Sequence, residues 1–171
     1  SSLASDRILS VFEDRGGVLW IGTDGGGLDR FDQGRFIHSR HDPADFNSLS
    51  ENRVWAMVED AAETLWIGTG GGLSKLDRKP RKFAHYRKEP NNPNSLSHDY
   101  VWSICESRDG LVWIGTNGGG INQIDRAAGK ITHYHNDPNN AHSLSEDRVW
   151  SILEDDVGTL WIGTNGGGLN K

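Results

Sequence analysis

"LWIGTDGGGL", residues 19–28, returns as "LWIGTGGGL" at 65–73, "VWIGTNGGGI" at 112–121 and "LWIGTNGGGL" at 160–169. The tryptophans of this phrase, Trp20, Trp66, Trp113 and Trp161, are spaced by 46, 47 and 48 residues. Self-similarity at such a fixed period marks a repeat architecture. A second phrase keeps the same beat. "SLASDRILSVFED" from Ser2 aligns with "SLSENRVWAMVED" from Ser48, "SLSHDYVWSICES" from Ser95 and "SLSEDRVWSILED" from Ser143.

Within a repeat, short runs rich in aromatic and β-branched residues alternate with turn residues, the pattern of antiparallel hairpins. The third copy predicts four strands, at Val101–Glu106, Leu111–Gly115, Gly120–Asp125 and Lys130–His135. Asp109-Gly110 turns the first strand (A) into the second (B), and Asn117-Gly118 turns the second into the third (C). Trp20 to Phe36 spans 16 residues, Trp66 to Phe83 spans 17 and Trp113 to Ile131 spans 18, whereas the stretch from each of these to the next Ser-Leu is always 12. The variation in period is therefore expected in the C–D turn alone, the loops on the opposite face keeping their length.

Four-stranded units of this size match the blades of a radial β-propeller better than a helical solenoid or a β-helix. The expected fold is all-β: a propeller segment of four blades, approximately 2–47, 48–94, 95–142 and 143–171, the last incomplete. Blades pack face to face, so terminal blades expose apolar sheet faces that need a cover. The expected cover is a second copy, docked head to tail so that two chains close an eight-bladed ring.

Composition sets the outer limits. The chain has 171 residues, 22 of them glycine, and a net charge of −6, which argues against a sequence-independent grip on nucleic acid. No run of 18 apolar residues is present, so no membrane contact by this segment is expected. Cys105, the single cysteine, takes the place of Val58 and Leu153 in other copies and reads as a small apolar residue.

These phrases resemble the two-component regulator propeller repeat, whose hallmark looks like "V.SI.ED..G.LWIGT..GGL" followed by "F..Y..DP.N..SLS". "FAHYRKEPNNPNSLS" from Phe83 and "ITHYHNDPNNAHSLS" from Ile131 match its loop. Three departures are local: Gly70 at the B–C turn, the glycine-free "AAE" at Ala61–Glu63, and Ser107 in place of aspartate. The resemblance implies the periplasmic or otherwise extracytoplasmic sensor of a membrane-bound histidine kinase or hybrid regulator, often one that detects oligosaccharides. A non-catalytic sensing module with no cofactor is thus expected.

The triple glycines lack the following Lys-Ser/Thr of a phosphate loop and read as turn geometry. Residues needed in every blade are packing residues, whereas a catalytic residue is needed once. His38, His85 and His133 are equivalent and are expected to cap or hydrogen-bond within the fourth strand (D), with no closed set of metal ligands. Glu13, Glu59, Glu106 and Glu154 look like acceptors for turn amides. Trp55, Trp102 and Trp150 read as core between blades.

The candidate ligand-binding residues lie at the start of strand A, where Arg7, Arg53 and Arg148 align with Tyr100. Guanidinium forks and aromatic faces suit sugar hydroxyls, uronates or sulfates. The plainer reading pairs each arginine with a loop acid such as Asp6 or Asp147. Tyr100 and His98, both unrepeated, would be the base and acid of a polysaccharide lyase in a rival enzymatic reading. A purely architectural array is the third.

Overall fold

The computed structural model describes residues 2–78 and 81–171, and the described residues form antiparallel strands without a helix. The first repeat supplies β1 (Ile8–Glu13), β2 (Leu19–Thr23), β3 (Leu28–Asp32) and β4 (Arg35–Ser39); the second supplies β5 (Val54–Glu59), β6 (Leu65–Thr69), β7 (Gly72–Arg78) and β8 (Arg81–Tyr86). The third supplies β9 (Val101–Glu106), β10 (Val112–Thr116), β11 (Ile121–Asp125) and β12 (Lys130–Tyr134), and the fourth β13 (Val149–Glu154), β14 (Leu160–Thr164) and β15 (Gly168–Asn170). Each repeat is one sequential meander, with three four-stranded sheets and a three-stranded last sheet. These are the four propeller blades, and every boundary in the third lies within one residue of expectation. The chain divides into two compact units, Ser1–Tyr86 and Arg87–Lys171, of two sheets each.

In the first unit β1 lies beside β5. Trp20, Leu28, Leu49, Val54, Leu65, Ile67 and Leu76 form the core between the two sheets, with Phe12, Val18, Met57 and Phe83 packed against it. Each such buried side chain contributes about 1.5–3 kcal/mol. Gly22 shows how close the sheets come: a Cβ there would lie 2.6 Å from Val54 Cγ1. The "G" of "WIGT" is therefore a contact residue between blades.

The aspartate ending each "ED" ties strand A to strand B. Asp14 accepts Trp20 Nε1–H at 2.8 Å through one oxygen and the amides of Gly16 and Val18 through the other. Asp60 does the same for Trp66, Ala62 and Thr64 while fully buried. Glu59 reaches across to the preceding blade and accepts the Arg15 amide at 2.8 Å. Turn-amide acceptance within a blade thus falls to the aspartate, and Glu59 joins two blades. In the glycine-free turn, Glu63 takes φ +61°, the conformation that Gly17 holds at +76°.

The second unit repeats this arrangement between β9 and β13. Ile121, Val149 and Ile162 are its buried cluster, with Trp113, Leu144, Ile152 and Leu160 against it. A Cβ on Gly115 would meet Val149 Cγ1 at 2.6 Å, as at Gly22. Asp155 accepts Trp161 Nε1–H at 2.8 Å, and Glu154 accepts the Arg108 amide at 2.8 Å. In the third blade the substitution at Ser107 is absorbed: its hydroxyl accepts Trp113 Nε1–H at 3.0 Å and donates to Asp109. Glu106 also pairs with Arg126, at 2.6 Å.

Three expectations need correction. The B–C turn varies too: the Thr23, Thr116 and Thr164 hydroxyls reach the carbonyl four residues on, but Thr69 reaches Gly72, three on. The equivalent histidines act outside strand D, donating Nε2–H from His85 and His133 to the carbonyls of Ser48 and Ser95, while His38 Nδ1 lies 2.6 Å from the buried Asp29. The strand A tryptophans are only partly enclosed: Trp55 and Trp102 are half-buried, and Trp150 is exposed. Leu9, Trp55, Trp102 and Trp150 each sit at a register shift in strand A, and the Trp150 side of the sheet leaves it 49% exposed. Cys105 is a half-buried free thiol whose pKa burial pushes up, in keeping with a packing role.

Asp60→Ala strands a buried indole N–H and leaves two turn amides without their acceptor, and is expected to cost about 3 kcal/mol. Glu63→Gly relieves a left-handed residue and is expected to add about 1 kcal/mol, net of greater freedom in the unfolded chain. Urea midpoints of the two variants check both signs.

Candidate functional site

The start of each strand A is positioned by the triple-glycine turn. In the first unit, the Gly25 and Gly27 amides both donate to the Asn52 carbonyl, at 3.1 and 2.9 Å, and the Asp24 amide donates to the Arg7 carbonyl at 2.9 Å. In the second, the Gly118 and Gly120 amides converge on the Asp147 carbonyl, at 3.2 and 2.8 Å, and the Asn117 amide donates to Tyr100. The amides that a phosphate cradle would need are thus spent on the next blade's entry loop. The middle glycine has a separate reason: a Cβ on Gly26 would lie 2.8 Å from Ser5 Cβ.

This scaffold brings Arg7 and Arg53 to the same carboxylate. Arg7 Nη2 lies 2.8 Å from Asp24 Oδ2, and Arg53 Nε lies 3.0 Å from Oδ1. The Asp24 side chain is 17% exposed and that of Arg7 80%, so most of the Arg7 fork faces solvent. Glu51 accepts the Arg53 amide at 2.9 Å. The plainer arginine reading therefore holds in kind but with other partners, Asp24 in place of Asp6. The signal lay in the repeats: the turn between two arginines carries Asp24, whereas the turn between Tyr100 and Arg148 carries neutral Asn117.

In the second unit Arg148 pairs with Glu146, not Asp147, through Nε and Nη2 at 3.3 Å each. Hydrogen bonding from Arg148 holds the Glu146 carboxyl below its ordinary 4.5, and the same bond raises the guanidinium. His98 Nδ1 accepts the Tyr100 amide at 3.0 Å, which places the proton of the neutral ring on Nε2. Ser5, Glu51 and Glu146 cap the equivalent amides of Arg7, Arg53 and Arg148, so His98 fills a recurring capping position. Its ring lies 5.9 Å from that of Tyr100, which is 39% exposed.

One pairing escaped the sequence reading. The Trp102 and Trp150 indoles stack at 4.1 Å and 7°, because the strand shifts that carry them face each other across β9 and β13. With Trp150 half exposed, the stack presents an aromatic face to solvent. No group of three His, Cys, Asp or Glu able to hold a metal ion occurs among the described residues.

A carboxyl held low by an ion pair stabilises the fold above its unfolded value, and that contribution fades as pH falls through the folded value. Carbon-detected titration is expected to place Glu146 below 4.5 in the wild type and to find it raised in Arg148→Ala.

Solved structures set these features among relatives. The chain is 30% identical, over 96% of its own length, to the extracellular domain of the hybrid two component system BT3049 from B. thetaiotaomicron, at a TM-score of 0.85. To the corresponding domain of BT4673 from the same organism it is 27% identical over 93% of its length, at 0.75. It spans 23% and 22% of those two chains. Virginiamycin B lyase from Staphylococcus aureus, 16% identical over 96% of this chain and 54% of its own at a TM-score of 0.65, shares the fold alone. A search of curated proteins finds no match. No helix among the described residues is long and apolar enough to cross a membrane. Residues 2–25, 48–71, 95–118 and 143–166, one stretch in every blade, match the two component regulator propeller family, and the chain belongs to it.

Proposed function

We propose that the chain is a non-catalytic, extracytoplasmic ligand-sensing module of a two-component receptor, and that it recognises oligosaccharide through the faces at which its A strands begin. The observation that carries this reading is the Arg7–Asp24–Arg53 cluster, in which two guanidiniums lie within ion-pair distance of one shielded carboxylate and the Arg7 fork is left in solvent. Such an exposed fork suits a uronate or sulfate, which it can meet through paired N–H donors. In the second unit, Tyr100 and the Trp102–Trp150 stack offer the apolar faces on which sugar rings settle. Family membership and the extracellular domains named above support the sensing role and its location.

Calorimetric titration with a panel of acidic and neutral oligosaccharides is the test. Binding by the wild type and at least tenfold weaker binding by the Arg53→Ala/Arg148→Ala double variant are expected; equal binding by both removes these residues from the site. Release of unsaturated sugar products during the titration would replace the sensor with a lyase centred on His98 and Tyr100.

For residues 1–171 taken by themselves, a second reading is head-to-tail assembly of copies, which Gly163 favours. A Cβ there would meet only Ser151, where Gly22 and Gly115 each meet a valine of the next blade. Ile8, the counterpart of those valines, is 40% exposed on β1. Light scattering over a concentration series is expected to exceed the 18.9 kDa of one chain, and a constant mass at that value removes the assembly.

A further inference from the structure

Arg53 and Arg148 stand at one repeat position but form different ion pairs. The backbone around them is alike. Asp24 forms an antiparallel bridge with Arg53, as Asn117 does with Arg148, and a glutamate two residues earlier, Glu51 or Glu146, accepts each arginine amide, at 2.9 and 3.3 Å. Arg53 Nε then lies 3.0 Å from Asp24 Oδ1, whereas Arg148 folds back on Glu146 through Nε and Nη2, at 3.3 Å each. Two neighbours distinguish the settings: the turn residue, Asp24 or Asn117, and the residue that starts strand A of the preceding blade, Arg7 or Tyr100. Arg7 lies 2.8 Å from the other oxygen of Asp24, and its like charge repels Arg53 from the turn. The attraction that brings Arg53 there is therefore the Asp24 carboxylate, and the neutral amide of Asn117 offers Arg148 no equal.

The choice of partner decides what each loop has left for a ligand. Glu146 accepts the Arg148 amide and two of its guanidinium nitrogens, so this pair is closed on itself. In the first unit Asp24 holds Arg53 apart from Glu51. Glu51 spends Oε2 on the Arg53 amide, the Arg53 side chain is 43% exposed, and no described residue pairs with its Nη groups. One loop thus carries a free donor terminus and a free carboxylate oxygen on residues two apart. A vicinal diol, whose hydroxyls both donate and accept, is the complement of such a set.

We propose that the residue after the "WIGT" threonine sets the ligand preference of each A-strand face: Asp24 keeps Glu51 and Arg53 open to a vicinal diol of a sugar, and Asn117 lets Glu146 and Arg148 close on each other. The second face is left with the ring contacts of Tyr100. Asp24 acts here as a positioning residue, through Arg53. The diol chemistry rests on the sugar-sensing role proposed above, whereas the switch of arginine partner stands without it.

The experiment uses the whole chain, labelled with ¹³C and ¹⁵N, as wild type, Asp24→Asn and Asn117→Asp. Aspartate and asparagine already exchange at this position between blades, so both variants keep the fold. The partner switch is read on the Glu146 carboxyl, which Arg148 holds below 4.5. Removing Arg148 raises it in the wild type and is expected to change it little in Asn117→Asp, where Arg148 has moved to the turn; an equal rise in both backgrounds overturns the switch. The diol site is read with galactotriose and with its permethylated form, which lacks the hydroxyls. Saturable shifts at Glu51 and Arg53 are expected from galactotriose alone, with binding at least tenfold weaker in Asp24→Asn. Shifts at Tyr100 without shifts at Arg53, or equal affinity in the wild type and Asp24→Asn, overturn the diol site and leave the sensing role in place. No shift on either face from any sugar overturns both.

Discussion

The hydrogen bond from the "WIGT" tryptophan to the aspartate that closes strand A is the constraint on which each blade depends. A carboxylate can accept at two oxygens, and Asp14, Asp60 and Asp155 use one for the indole and the other for two amides of the intervening turn. The turn, the A–B register and the tryptophan orientation are therefore fixed together. Charge-assisted bonds of this kind are stronger than neutral ones, and their burial makes each unmade partner costly. The third blade shows how far the arrangement tolerates change: Ser107 keeps the indole bond, and Asp109 takes over the amide of Leu111 at 3.4 Å.

Blades are joined by a second tier of contacts made from the same phrases. Gly22 and Gly115 admit a valine of the neighbouring blade, glycine amides of the B–C turn grip its entry loop, and Glu59 and Glu154 hold the turn of the blade before. Arg15 and Arg108 reinforce this by donating to the carbonyls of Asp60 and Asp156. Repetition of "ED..G.LWIGT..GGL" thus encodes both the inside of a blade and its contact with the next. The triple glycine belongs to the scaffold, since its amides are consumed and its middle member has no room for a side chain.

Binding chemistry sits where the repeats diverge. Arg7, Arg53 and Arg148 keep one residue type, yet the first two converge on Asp24 and the third turns back to Glu146, because the B–C turn supplies an acid in one case and Asn117 in the other. His98 looks distinctive as a sequence change, but its Nδ1 performs the amide capping that Glu51 and Glu146 perform elsewhere. Its ring and that of Tyr100 nonetheless give this loop an aromatic surface that the others lack.

The number of blades, the strands within them and the turn residues were determined by the sequence alone, because each depends on neighbours a few residues away and is written four times. Repetition separated packing residues from candidate binding residues for the same reason. The length of the second B–C turn was also present in "LWIGTGGGL", hidden by a C–D connection that compensates for it: Leu76 to Phe83 spans two residues more than Phe31 to Phe36. Only the tertiary structure decided the partners. Asp24 between two arginines, the stacked Trp102 and Trp150, and Glu59 on a foreign turn join residues about 17 to 48 positions apart, and sheet packing, which no local pattern specifies, brings them within bonding distance.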